Sequence, residues 1–169
     1  AGSPPLAEIL DMERLKTAVY SFEAPLRAGA VLAGAGTEVA SALGRFGRDI
    51  GIAYQLVDDL LGVFGNESAT GKSSMGDLRE GKRTVLIAYA AQTRCWPELS
   101  GIIGRPDMDP ADADRARRIL VDCGARQYAQ QLAADYAASA RRHLECAEVP
   151  AGLAAVLDDV VSSSVNRGR

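Results

Sequence analysis

The sequence predicts an all-α protein on three observations. Apolar residues recur at helical spacing along most of the chain. No stretch alternates apolar and polar residues as a half-buried strand does. Alanine is abundant, while aromatic residues make up only 5% of the chain, which suits closely packed helices better than a β sandwich. With 169 residues, the chain is long enough for one ordinary domain around one core.

The elements follow in chain order. Residues 11–34 read as a helix of small and apolar positions, among them Leu15, Ala18, Val19, Phe22, Leu26, Ala30 and Leu32. Pro25 lies inside this pattern and is expected to kink or split it, because it has no amide hydrogen to donate. Gly34 and Gly36 end the run, and Thr37 is a good N-cap for the next helix. There, Val39, Leu43, Phe46, Ile50, Ala53, Val57, Leu60 and Phe64 recur in alternating steps of four and three, a sustained apolar stripe. Such a helix is roughly 40 Å long, the length found in a large helical bundle. Gly44, Gly47 and Gly51 lie inside it and allow another helix to approach closely.

Residues 65–81 are polar and glycine-rich and read as a long loop. A helix restarts at Thr84 and runs to Ala91. The stretch 94–109 contains Pro97, Gly101, Gly104 and Pro106 and reads mostly as connection. Asp109–Pro110 is an N-cap followed by proline at the first helical position, and that helix ends near Gly124. Residues 125–146 carry Tyr128, Leu132, Tyr136, Ala140 and Leu144 at spacing four, and Pro150 opens a last helix with Leu153, Val156, Leu157, Val160 and Val161.

Composition narrows the function classes. A net charge of -3 lacks the basic surplus of a protein that neutralises phosphate backbones, so no nucleic-acid partner is expected. No run approaches the roughly 20 apolar residues of a membrane span, so no transmembrane segment is expected. The opening AGSPPLAEIL has neither a basic n-region nor a long apolar run, which argues against a signal peptide. Cys95, Cys123 and Cys146 are widely spaced and form no zinc pattern, as expected of reduced thiols in a cytoplasmic protein. Asp107, Asp109, Asp112 and Asp114 sit around a proline-containing loop and helix start, and read as capping and solubility.

The chemistry-bearing stretch runs from Gly51 to Thr84. Asp58 and Asp59 repel each other and oppose the negative end of the helix dipole. Arg48 is ten residues back and Lys72 lies across a loop, so no basic partner at helical spacing explains them. Alone, the pair also fits a solvated helix face. Its surroundings favour a bound divalent cation: Gln55 is one turn earlier on the same side, and the loop then supplies Thr70, Gly71, Lys72, Asp77 and Lys82. Magnesium takes few carboxylates and completes its shell with water and phosphate oxygens, and lysines add point charges for phosphate. The TGKS run is not a nucleotide P-loop, because Asn66 stands where that loop requires glycine and the segment follows a helix.

These residues carry a family resemblance. YQLVDDLLGVFG, then TGK, then DLREGKRT, resembles the second aspartate-rich region of the trans-isoprenyl diphosphate synthases, the polyprenyl synthetases. Upstream, MERLKTAVYSFEAPLRAGAVLAGAG is similar to the family's KT-containing helix and its continuation. Order and spacing agree over residues 11–90, and the form of DDLLG with DLREGKRT looks most like actinobacterial geranylgeranyl-type synthases. The resemblance implies an antiparallel helical bundle, with this chain as the C-terminal half of the isoprenoid synthase fold. It makes residues 1–169 a single partial domain without its N-terminal half.

The implied roles fall on matching positions. Lys16 and Thr17 contact the allylic diphosphate and the carbocation left behind, with Gln55 beside the same group. Asp58 ligates the third magnesium, Asp59 supports that shell, and Asp77 orders metal-bound water. Lys72 and Lys82 hold the diphosphate. One departure is plain: the third aspartate of the DDxxD pattern is Gly62 here. The implied reaction condenses an allylic diphosphate with isopentenyl diphosphate head to tail, with three magnesium ions in the complete enzyme. The first aspartate-rich motif has no counterpart in the chain, so the isolated polypeptide is expected to be inactive and to associate as a homodimer or higher oligomer. A non-catalytic or regulatory partner subunit of a prenyl diphosphate synthase is the alternative. Copurification with an N-terminal half-protein would favour it.

Overall fold

The computed structural model describes residues 5–65, 74–145 and 148–167. Among the described residues every regular element is helical. Helix α1 is Leu6–Glu13, a π-helical segment Arg14–Glu23 follows, and α2 is Ala24–Leu32. The long helix α3 is Thr37–Phe64. Short helices α4 (Gly76–Glu80), α5 (Val85–Ala90) and α6 (Trp96–Ser100) come next. The chain then forms α7 (Pro110–Asp122), α8 (Ala125–Glu145) and α9 (Ala151–Val165).

The long helix has the expected bounds, and its stripe is buried from Leu43 through Phe46, Ile50 and Ala53 to Val57. Two expectations need correction. The 11–34 region is not one α-helix broken at Pro25. Its first part joins α1, and a π-helical stretch precedes the proline, with the Ala24 amide donating to the Val19 carbonyl five residues back. Pro25 then sits in the first turn of α2, directly after the π-helical stretch. The glycine-rich 65–81 stretch contains α4 in its described part, closed by Gly81 at φ 65, whose amide donates to the Asp77 and Leu78 carbonyls. The 94–109 stretch is mostly connection, as expected, with the short α6 inside it and Pro97 in the first turn of that helix. At Asp109 the expected cap is present: its Oδ1 accepts from the Asp112 amide at 2.8 Å.

The chain divides into two compact units. One comprises the residues up to Leu10 together with Asp58–Gln131, and the other comprises Asp11–Val57 and Leu132–Arg167. In the second unit, Leu43, Phe46, Ile50 and Ala53 of α3 pack with Ala137, Ala140 and Leu144 of α8 and with Leu157 and Val161 of α9. Small residues there leave room for helix backbones to come close. An added Cβ at Gly51 would lie 2.6 Å from the Ala18 Cα, and one at Gly47 would lie 2.8 Å from the Glu23 backbone. The sequence's expectation of close approach along this helix is met by the π-helical segment that carries Lys16 and Thr17.

In the first unit, Val63, Leu78, Val85, Leu86, Leu99 and Leu120 are buried. Arg117 of α7 ties several pieces of that unit together. Its Nε donates to the Val63 carbonyl at 2.7 Å, and one NH2 donates to the Ser74 carbonyl and hydroxyl. A cation at the C-terminal end of α3 also complements the helix dipole.

Candidate diphosphate and metal site

Two groups of the expected residues are assembled, one in each unit. In the first unit, α3 delivers Asp59 near its C-terminal end, where the side chain is only 5% exposed. Helix α4 sets Asp77 in its first turn. The αL turn at Gly81 then brings the next residue back, and the Lys82 amide donates to the Asp77 carbonyl at 2.9 Å. From this position the Lys82 ammonium donates to Asp59 Oδ1 at 2.7 Å and to Asp77 Oδ2 at 3.2 Å. One cation therefore bridges two carboxylates that are 18 residues apart in sequence (Asp59 and Asp77).

Burial pulls the lysine pKa down, but the hydrogen bond and charge of Asp59, reinforced by Asp77, outweigh it and leave the value raised. Lys82 is therefore a permanently charged group at neutral pH. The three side chains together carry one net negative charge.

This geometry corrects one sequence argument. Asp59 has a basic partner, Lys82, which lies across the intervening segment and so escapes any search at helical spacing. Asp58 is half-buried on the same helix, and Lys72 lies outside the described residues. Among the described residues, no three His, Cys, Asp or Glu side chains converge as a ready-made metal cage. The donor chemistry still suits magnesium. Asp58, Asp59 and Asp77 offer hard carboxylate oxygens, and a magnesium ion needs only one or two of these beside phosphate oxygens and water.

In the second unit, Thr17 Oγ1 donates to Gln55 Oε1 at 2.9 Å. The hydroxyl of the KT pair and the amide expected beside it are thus in direct contact, 38 residues apart. Lys16 is exposed. The Tyr54 ring, next to Gln55, lies 5.7 Å from Phe22, and the Arg167 guanidinium stands 4.3 Å over it. The arginine thus makes a cation–π contact with that ring.

Sequence reasoning missed one charged feature of this unit. Glu23, buried in the π-helical segment, accepts two hydrogen bonds from Arg48 of α3, at 3.1 and 2.8 Å. The Arg48 hydrogen bond holds the Glu23 carboxyl below its ordinary range, against the opposing effect of burial. The only signal available was a lone glutamate in an apolar stretch, which is too common to single out.

The chain resembles known proteins over most of its length. The sequence model of the polyprenyl synthetase family matches residues 3–120. The geranylfarnesyl diphosphate synthase of Aeropyrum pernix is 44% identical over 136 residues, covering 80% of this chain and 42% of that enzyme. The geranylgeranyl diphosphate synthase of Methanosarcina mazei is 34% identical over 139 residues, covering 82% of this chain and 42% of that enzyme. Among solved structures, the geranylgeranyl pyrophosphate synthase of Corynebacterium glutamicum, complexed with isoprenyl diphosphate and magnesium, superimposes with a TM-score of 0.88 at 34% identity. That match covers 96% of this chain and 47% of the other, and agrees with the actinobacterial character of the motifs. The chain spans less than half the length of these relatives. A family match over residues 3–120, a 44%-identical relative and an all-α structural match identify the chain as a member of the polyprenyl synthetase family, the trans-isoprenyl diphosphate synthases.

Proposed function

We propose that this chain supplies the second aspartate-rich region of a prenyltransferase, which condenses an allylic diphosphate with isopentenyl diphosphate head to tail. The observation that carries this reading is the bridge of Lys82 to Asp59 and Asp77 within a chain of this family. A purely structural subunit has no need for two carboxylates gathered around one lysine, or for a threonine of the KT segment paired with a glutamine of α3.

Each residue takes a role suited to its chemistry. Lys82, with Lys16 and Lys72, meets the negative charge of the allylic diphosphate. Asp58 would hold magnesium, Asp59 would support its shell and Asp77 would order water around it, with three ions expected in the complete enzyme. When bound, magnesium supplies positive charge against the charge that grows on the departing diphosphate. Thr17 and Gln55 face the allylic end, where their oxygens stabilise the carbocation. The double bond of isopentenyl diphosphate attacks that cation, and a proton then leaves to the diphosphate. Fixed charge at the leaving group is the main catalytic contribution, and loss of one such contact typically costs on the order of 10²–10³ in rate.

The same reading makes the isolated chain inactive, because the first aspartate-rich motif is not in this sequence. It also makes the chain one half of the synthase fold, working in the cytoplasm and associating with a second polypeptide surface. Exposure of Leu15, Tyr20, Val31 and Leu32 supports that association. The test is prenyl transfer from labelled isopentenyl diphosphate. The chain mixed with the complementary N-terminal portion of a family synthase is expected to give magnesium-dependent product, and the chain alone none. Turnover by the chain alone, or none by the pair once a complex is demonstrated, would overturn the proposal.

A further inference from the structure

Gly62 stands where the DDxxD pattern has its third carboxylate, in the last turn of α3. Its backbone does not require glycine, because it is absent from the residues with positive φ. Alanine is the better helix former at such a position, so local propensity does not explain it either. Space does. A Cβ built at Gly62 would clash with Asp77 Oδ2 and lie 2.9 Å from Asp77 Cγ. The carboxylate of Asp77 therefore fills the volume that a side chain at position 62 would occupy. The same Oδ2 accepts from Lys82, whose ammonium also holds Asp59.

We propose that Gly62 is a positioning residue for Asp77. Its missing side chain leaves open the space beside Lys82 that the Asp77 carboxylate of α4 occupies. The functional meaning rests on the diphosphate and metal reading above, whereas the steric relation between Gly62 and Asp77 does not.

The experiment uses the 169-residue chain and three variants: Gly62→Ala, Asp77→Ala and the double variant. Melting temperatures are first measured without ligand. Alanine at position 62 is expected to lower the melting temperature when Asp77 is present, and to raise it in the Asp77→Ala background, where the carboxylate atoms nearest the added methyl are gone. Magnesium is then titrated in the presence of inorganic diphosphate, and the concentration giving half the thermal shift is recorded. Each single variant is expected to need about tenfold more magnesium, the size of effect typical of residues that orient metal ligands. The double variant is expected to need no more than either single one, because both changes break the same relation.

An equal rise in melting temperature in both backgrounds, or magnesium effects that multiply in the double variant, would overturn the proposal. If the double variant does not fold, Asp77→Asn replaces Asp77→Ala. It keeps the bulk at position 77, so alanine at position 62 must still destabilise. If the unmodified chain shows no thermal response to magnesium and diphosphate, the reading of the site fails, and the ligand-free comparison still decides the role of Gly62.

Discussion

Replacing Lys82 with methionine tests whether its ammonium neutralises the buried carboxylate of Asp59. Methionine keeps most of the side chain's length and apolar stem and removes the charge. Asp59 is then left 5% exposed without the cation that donates to it at 2.7 Å, and Asp77 loses a donor at 3.2 Å. Removing one member of a fully buried pair costs about 3–5 kcal/mol. Lys82 is 29% exposed and Asp77 24%, so water recovers part of that loss. The expected destabilisation of Lys82→Met at pH 7 is therefore about 2–3 kcal/mol. With a urea dependence near 2 kcal/mol/M, the unfolding midpoint falls by about 1–1.5 M. Adding Asp59→Asn removes the stranded charge, so the double variant is expected to be more stable than Lys82→Met alone. Urea unfolding followed by circular dichroism measures both. A midpoint within about 0.2 M of the parent, or an Asp59→Asn cost that simply adds, would refute the reasoning.

Further outcomes follow from the same geometry. Gly51→Val drives a branched side chain into the Ala18 backbone, 2.6 Å from the first added carbon, and is expected to cost at least the 1–3 kcal/mol, roughly, of an overpacked core; thermal unfolding measures it. Glu23 has a lowered pKa in the folded chain, so its pairing with Arg48 stabilises above the ordinary carboxyl value of 4.5 and is lost as pH falls through the lowered value. The stability gap between the parent and Glu23→Gln is therefore expected to be full at neutral pH and to close from about pH 5 toward pH 2 in acid titrations of unfolding. Exposed Leu15, Tyr20, Val31 and Leu32 are expected to drive self-association, and light scattering at high concentration checks this, with a clean monomer as the contrary result.

Much of this architecture is legible in the sequence, for a physical reason. The stripe from Leu43 to Val57 is a local, periodic signal, and burial of one helix face is what creates it. The cap at Asp109 is equally local, since donor and acceptor lie three residues apart. Glycines inside α3 announce close packing, although nothing in their spacing says that the partner is the KT segment. The remaining features depend on tertiary contacts between distant residues. Lys82 meets Asp59 only after α4 and the Gly81 turn have reversed the chain. Arg48 meets Glu23 across 25 residues, with no periodicity linking them. The π-helical stretch before Pro25 is a register change, and the residue pattern of an ordinary helix conceals it. Gly62 reads in the sequence as a lost carboxylate, and only the position of Asp77 gives it a reason.

Asp58, Asp59, Asp77 and Lys82 are proposed to form a magnesium-dependent diphosphate site. The most direct measurement is the melting temperature of the chain with inorganic diphosphate, with and without magnesium, in the parent and in Asp58→Asn. A ligand held only by the folded state raises the melting temperature by mass action, by about 2.7 kcal/mol of stability at a hundredfold excess over its Kd. A clear rise is expected with magnesium and diphosphate together, a much smaller one with either alone, and loss of the joint effect in Asp58→Asn. No joint effect in the parent, or one that survives unchanged in Asp58→Asn, would contradict it.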